Sequence, residues 1–261
     1  MGAFRMRPKV QAVLAPAVVA VLVIAVWQLK VVHHLFDLKE FAVPLPFDVA
    51  EAMWTNRDTL LQRAKESLVP GVLGFALGEA IGLAIAGAIM ALPGRTARQV
   101  TVMGAAVQSL PAIALVALVA LWVDSATVLK ITVVAIMVAP SMLIYMYRGF
   151  TSAKSEALEL MSSYNASGLQ VLRGLRLPSA VPHLFTQVKY ATVIMLVAVI
   201  LSEIMRTGDG FGFEIEHALG RFDTAEAWAA VFALALVGVL VYALASVVER
   251  VFFPWAARHK P

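Results

Sequence analysis

SLVPGVLGFALGEAIGLAIAGAIMAL, residues 67 to 92, holds a single charged residue, Glu79, in 26 positions. A helix needs roughly 20 residues to cross a hydrocarbon core of about 30 Å, so this stretch is long enough to span a bilayer. Its apolar residues run continuously rather than with period two, and in lipid only helices and closed barrels satisfy every backbone polar group. It reads as a transmembrane helix. Comparable runs lie near Gln11 to Val32, Val100 to Val123, Val128 to Met146, Val188 to Met205 and Ala227 to Phe253. They predict an all-α, polytopic membrane protein of about six spans. The composition agrees: 61% hydrophobic and 15% charged residues with a mean hydropathy of +0.82 are too apolar for a soluble domain. The first run follows Arg5, Arg7 and Lys9, yet it exceeds a signal-peptide apolar region and no small-residue cleavage site follows, so it reads as an anchor.

Charge sets the orientation. With six spans and a cytoplasmic N-terminus, the inner segments hold Arg5, Arg7, Lys9, Arg95, Arg98, Arg148, Lys154, Arg173, Arg176, Arg250, Arg258 and Lys260. The outer segments are acidic, with Asp37, Glu40, Asp48, Glu51, Asp58, Asp124, Asp209, Glu214 and Glu216 among them. Flipping the chain would invert the Lys/Arg bias in every loop. Both termini are therefore expected in the cytoplasm, and the pI near 9.5 calls for no nucleic-acid partner. No segment outside the spans suffices for a folded domain. Residues 1–261 read as one transmembrane domain, with a cytoplasmic N-terminus over 1–10, a cytoplasmic loop over 148–182 and an outer loop over 206–226.

The cytoplasmic loop is amphipathic. Ser152 or Ser155 suits an N-cap, with Glu156 and Glu159 near the positive end of the helix dipole. Ala157, Leu160, Met161 and Tyr164 recur at helical spacing, Asn165 tolerates the left-handed conformation that ends a helix, and Ser167 and Gly168 open a second short helix closed by Pro178. A cytosolic Leu/Met/Tyr face suits a protein partner; an interfacial helix on the headgroups is the alternative.

This loop resembles the EAA signature of permease subunits in binding-protein-dependent ABC importers. Aligned on Leu177-Pro178, Glu159 takes the Glu position, Leu160 and Met161 the two Ala positions, Asn165 the Gly position and Leu175 the Ile position, so Leu-Met and Asn depart from the pattern. The likeness extends over nearly the whole chain, through Val43 to Val49, the glycine-spaced run from Gly71 to Gly82, Gln108 to Ala112 with Leu121-Trp122, and Ser202-Glu203 with Gly210-Phe-Gly212. It is closest to the branch importing nitrate, sulfonates, taurine and vitamin precursors. The resemblance implies a MetI-like permease fold in the cell inner membrane, a second permease copy, an ATPase dimer coupled through Glu156, Glu159, Leu160, Met161, Tyr164, Asn165, Gly168, Leu175, Leu177 and Pro178, and a periplasmic or lipid-anchored solute-binding protein. It also implies a non-catalytic subunit without a cofactor of its own, ATP being bound by the partner.

The residues themselves offer no P-loop, zincin or serine-hydrolase motif and no cysteine, and catalysis is not indicated. His33-His34 suits the outer headgroup region better than a metal. Within the spans, Gly71, Gly74, Gly78, Gly82 and Gly87 permit close helix approach. Glu79, Gln108, Ser109, Pro111 and Glu203 are candidates for a translocation pathway, Glu79 because an ionisable group inside a span faces the bundle interior or water. Glu203 and Lys130 lie near span ends, where snorkelling is expected. A secondary transporter or channel, which would show intramembrane charge pairs and inverted repeats, and a non-transporting scaffold are the competing functions.

Overall fold

The computed structural model describes residues 8–254; Arg5, Arg7, Arg258 and Lys260, on which part of the charge reading rests, lie outside them. The described chain is helical. In order it forms α1 (Pro8–Gln28), α2 (Val31–Phe36), α3 (Pro46–Thr55), α4 (Arg57–Ile89), α5 (Gly94–Gln108), α6 (Ala112–Val119), α7 (Ala126–Thr151), α8 (Ser155–Ser163), α9 (Gly168–Val171), α10 (Leu177–Ser202), α11 (Gly210–Gly220) and α12 (Thr224–Phe252). Two π-helical turns, Leu172–Arg176 and Glu203–Thr207, bracket α10. Among the described residues, four helices are long and apolar enough to cross a membrane: α4, α7, the continuous run Gly168–Arg206 and α12. The pair α5 and α6 supplies a fifth span if its two parts count as one, and α1 is an apolar helix of 21 residues.

The third expected span, Val100 to Val123, is not straight: α5 and α6 meet at 87°. Pro111 has no N–H to donate and disfavours helical geometry at Leu110, and Ser109 closes α5 by donating to the Ala106 carbonyl at 2.7 Å. Pro140 sits inside α7 without breaking it.

The chain forms two compact units, Met1–Leu60 with Glu214–Ala233, and Leu61–Phe213 with Leu234–Pro261. In the larger unit α7 is the hub. Its Leu129, Val133, Val134 and Val138 pack with Ala191, Met195, Ala198 and Val199 of α10 and with Val116 and Val119 of α6. On another side α4 lies backbone to backbone against α7. A Cβ at Gly74, Gly78 or Gly82 would fall 2.6, 2.9 and 2.4 Å from the carbonyl oxygens of Ile131, Ala135 and Ala139. Spaced by four residues, these glycines form one stripe along the helix. Gly87 does not belong to it: a Cβ there meets nothing within 4 Å.

In the smaller unit, Trp27 and Trp228 pack with ring centroids 5.5 Å apart, as suits side chains at a membrane boundary. His33 is buried with Nε2 2.7 Å from the Val43 carbonyl. The carboxylate of Glu40, outside the spans, pairs with Lys30 at 2.6 Å, and this hydrogen bond holds it below the usual glutamate range.

Candidate functional site

The loop between α7 and α10 folds much as its residues require. The helix α8 starts at Ser155 with Lys154, not a serine, at its N-cap, and Glu156 lies in its first turn. Asn165 ends the turn at φ +53°. Ser167 caps α9 through a reciprocal pair of hydrogen bonds with Gln170. Leu160 and Tyr164 point outward, 57% and 79% exposed, and Glu156, Glu159, Asn165 and Gly168 are exposed with them. Met161 departs from the expected face: it is half-buried, its Cε close to Gly174.

Pro178 does not close the second helix. The Leu177 N–H reaches back to the Leu172 carbonyl, five residues earlier, and this wider turn carries the chain past a proline placed in the first turn of α10. Leu175 falls within that turn, and the helix runs on to Arg206.

At the other end of the same helix, Glu203 is 1% exposed and does not snorkel. Its Oε1 accepts from Lys130 Nζ at 3.0 Å and Ser67 Oγ at 2.7 Å, and its Oε2 from the Gly212 N–H at 2.9 Å. Lys130, equally buried, also donates to the Glu66 carbonyl at 3.0 Å and pairs with Asp209 at 2.8 Å. The Gly210 N–H donates to Glu66 Oε2 at 2.9 Å, and the Phe211 N–H to Ser67 Oγ at 3.0 Å. The first three N–H groups of α11, which a helix cannot satisfy internally, thus end on side chains of α4 and the π turn. Glycine is required here. A Cβ on Gly210 would lie 2.0 Å from Glu203 Oε1, its φ is +83°, and a Cβ on Gly212 would meet the Ile200 carbonyl at 2.7 Å. Burial of both charges is expensive, and full hydrogen bonding on each offsets it.

The remaining pathway candidates are not brought together. The Glu79 carboxylate is shut off from solvent beside Gln187, whose Nε2 donates to Ser141 Oγ at 3.1 Å. Gln108 lines a cavity of about 290 Å³ with Leu110, Ile136, Met137, Tyr190 and Ile194. Ser109 and Pro111 stand exposed at the α5–α6 bend. Residue-type reading missed Glu66, Ser67 and Asp209; the Gly-x-Gly at 210–212 after Glu203 is the one signal that pointed to them.

Residues 80–258 match the binding-protein-dependent transport system inner membrane component family, and the chain belongs to it. It is 25% identical over 183 residues to the formylaminopyrimidine transport permease protein ThiX of Halalkalibacterium halodurans, covering 70% of this chain and 73% of that one. To the putative aliphatic sulfonates transport permease protein SsuC of Escherichia coli it is 28% identical over 243 residues, covering 92% and 91%. Its fold is similar to that of a chain of the inward-facing MetNI methionine ABC transporter, with TM-score 0.58, 17% identity, and 76% of this chain and 96% of that one covered. The chain is therefore a multi-pass membrane permease, the translocation subunit of an ABC importer with the MetI-like fold.

Proposed function

We propose that this permease pairs with a second copy in the inner membrane, both termini cytoplasmic, and passes a small solute delivered by a binding protein on the outer side. A separate ATPase dimer, which binds the ATP, grips α8 of each copy. The observation that carries the reading is the exposed Leu160/Tyr164 face with Glu156 and Glu159 beside it: large apolar side chains on a solvent-facing loop helix mark a protein contact. Asn165, Gly168, Leu175, Leu177 and Pro178 hold that helix in place, and Met161 braces it from within. Closing of the ATPases on ATP draws the two α8 helices together and tilts the bundles, opening the path outward. Gln108 is the pathway residue best placed to meet solute, because its cavity carries a polar amide among apolar walls. That wall has no charged residue, which leaves the choice among sulfonate-like, nitrate-like and vitamin-precursor solutes to the binding protein.

The buried pair Lys130–Glu203, and a second between Lys189 and Glu249, are what a gradient-driven transporter would also contain. Family membership weighs against that reading, and the acidic partners here satisfy backbone groups as well as cations. Co-expression of wild type and of Leu160→Asp plus Tyr164→Asp with the ATPase of the same transport system tests the assignment. The ATPase should co-purify with wild type and be lost from a variant that still inserts. Retention by the variant would move the docking site elsewhere.

A further inference from the structure

Two cavities follow one stripe of α4 beneath the cytosolic loop. The larger, about 600 Å³, is lined by Gly87 of α4, Met90 in the turn just after it, Leu158 and Ser162 of α8, and Leu172 and Arg176 of the first π turn. The second, about 310 Å³, is lined by Leu83, Met146, Arg173, Leu177, Val181 and Leu184. Leu83 and Gly87 share a face of α4 by their spacing of four residues, as do Arg173, Leu177, Val181 and Leu184 along the run that continues into α10. The cavities therefore succeed each other, one toward the loop and the other toward the hydrocarbon.

Their chemistry divides the same way. Arg176 Nε is shielded from solvent with no hydrogen-bond partner, and neither Arg173 nor Arg176 forms an ion pair among the described residues. No acidic residue lines either cavity. A shielded guanidinium donor without an acceptor is costly, and its planar fork matches phosphate oxygens. Deeper in, the walls of the second cavity are aliphatic apart from Arg173. Gly87 and Met90, which share the larger cavity with Arg176, lie just before the apolar run closes at Leu92, ahead of Arg95 and Arg98, which sets that arginine at headgroup depth.

We propose that these cavities form a binding site for one anionic phospholipid of the cytosolic leaflet. Its phosphate sits on Arg173 and Arg176, and an acyl chain runs along Leu83, Val181 and Leu184. Basic pockets between spanning helices on the cytoplasmic side hold anionic headgroups by this combination of charge and apolar wall. The assignment of leaflet rests on the orientation proposed above. Because the π turn that carries both arginines leads directly from α9, the lipid braces the base of the coupling loop.

The test uses the full chain, purified and delipidated. Its thermal stability is followed with phosphatidylglycerol, with phosphatidylcholine and with inorganic phosphate, and lipid retained from native membranes is identified by mass spectrometry. Phosphatidylglycerol should raise Tm above the value in phosphatidylcholine, and retained lipid should be enriched in it several-fold over the bulk membrane. Arg173→Gln with Arg176→Gln should abolish both effects. Leu83→Trp fills the apolar slot but leaves both arginines, and should abolish them too. Equal shifts from the two lipids, or an enrichment that survives both variants, would overturn the proposal. Stabilisation by inorganic phosphate that phosphatidylglycerol does not exceed would overturn it in favour of a soluble anion. Labelling of Ser163→Cys from the outer side, with lipid selectivity intact, would instead overturn the leaflet and orientation.

Discussion

Near the N-terminal end of α7, Lys130 is 1% exposed and held by Glu66, Glu203 and Asp209; four residues past its other end, α8 presents Leu160 and Tyr164 to solvent. One end has the buried Lys130 and Glu203 matched within the chain. The other leaves its largest side chains unmatched. Matched polar groups in a buried network stabilise one conformation and have nothing left to offer a partner, whereas an exposed apolar face contributes little to the fold and much to association. The two ends of one helix thus separate stability from recognition, and substitutions should separate them too.

The largest effect is expected at the matched end. Lys130→Ala leaves the Glu203 carboxylate buried without its cation and should destabilise by about 3–5 kcal/mol, read as a fall in Tm or loss of folded protein. A smaller fall would mean that water reaches Glu203 and that the network is less closed than its burial implies. Next comes the glycine stripe. Gly82→Val forces a side chain against the Ala139 carbonyl and should cost about 1–3 kcal/mol, while Gly87→Ala, facing open space, should change Tm little. Ser67→Ala removes a donor to Glu203 and an acceptor from Phe211, a loss of about 1–3 kcal/mol if no water replaces the hydroxyl. At the unmatched end, Leu160→Asp with Tyr164→Asp should shift stability by no more than about 0.5 kcal/mol while removing the ATPase. A large Tm loss there would erase the contrast. The faintest effect belongs to Glu40. Its lowered pKa gives a contribution present above the ordinary glutamate value of about 4.3 and lost as pH falls through the folded value. Glu40→Gln should flatten the acid side of the stability profile, slightly, because the pair is exposed.

What was legible in the sequence follows the same division. Local signals held: Asn165 adopts the left-handed turn, Ser167 opens α9, and Gly74, Gly78 and Gly82 meet another helix. The four long spans follow from hydropathy alone. Contacts across distance did not show themselves, since Lys130 and Glu203 are 73 residues apart and each alone looks like a residue at a span end. Pro111 and Pro140 look alike in sequence, yet one breaks the chain by 87° and the other lies within a helix packed on several sides. The two π turns had no signature at all, because one additional residue per turn leaves composition and apolar pattern unchanged. Through the first of them Pro178 became part of a continuing helix rather than its end.

The glycine stripe has a mechanical consequence. With Gly74, Gly78 and Gly82 of α4 seated on the carbonyl oxygens of α7 and no α4 side chain at those positions to repack, the two helices should resist sliding there and move together as one beam. α7 is about 39 Å long at the rise of a regular helix, and a tilt of about 5° about the end next to α8 displaces the Lys130 end by roughly 3 Å. A push delivered beside α8 would therefore arrive at the Lys130 end as travel, with little of the stroke lost to deformation on the way.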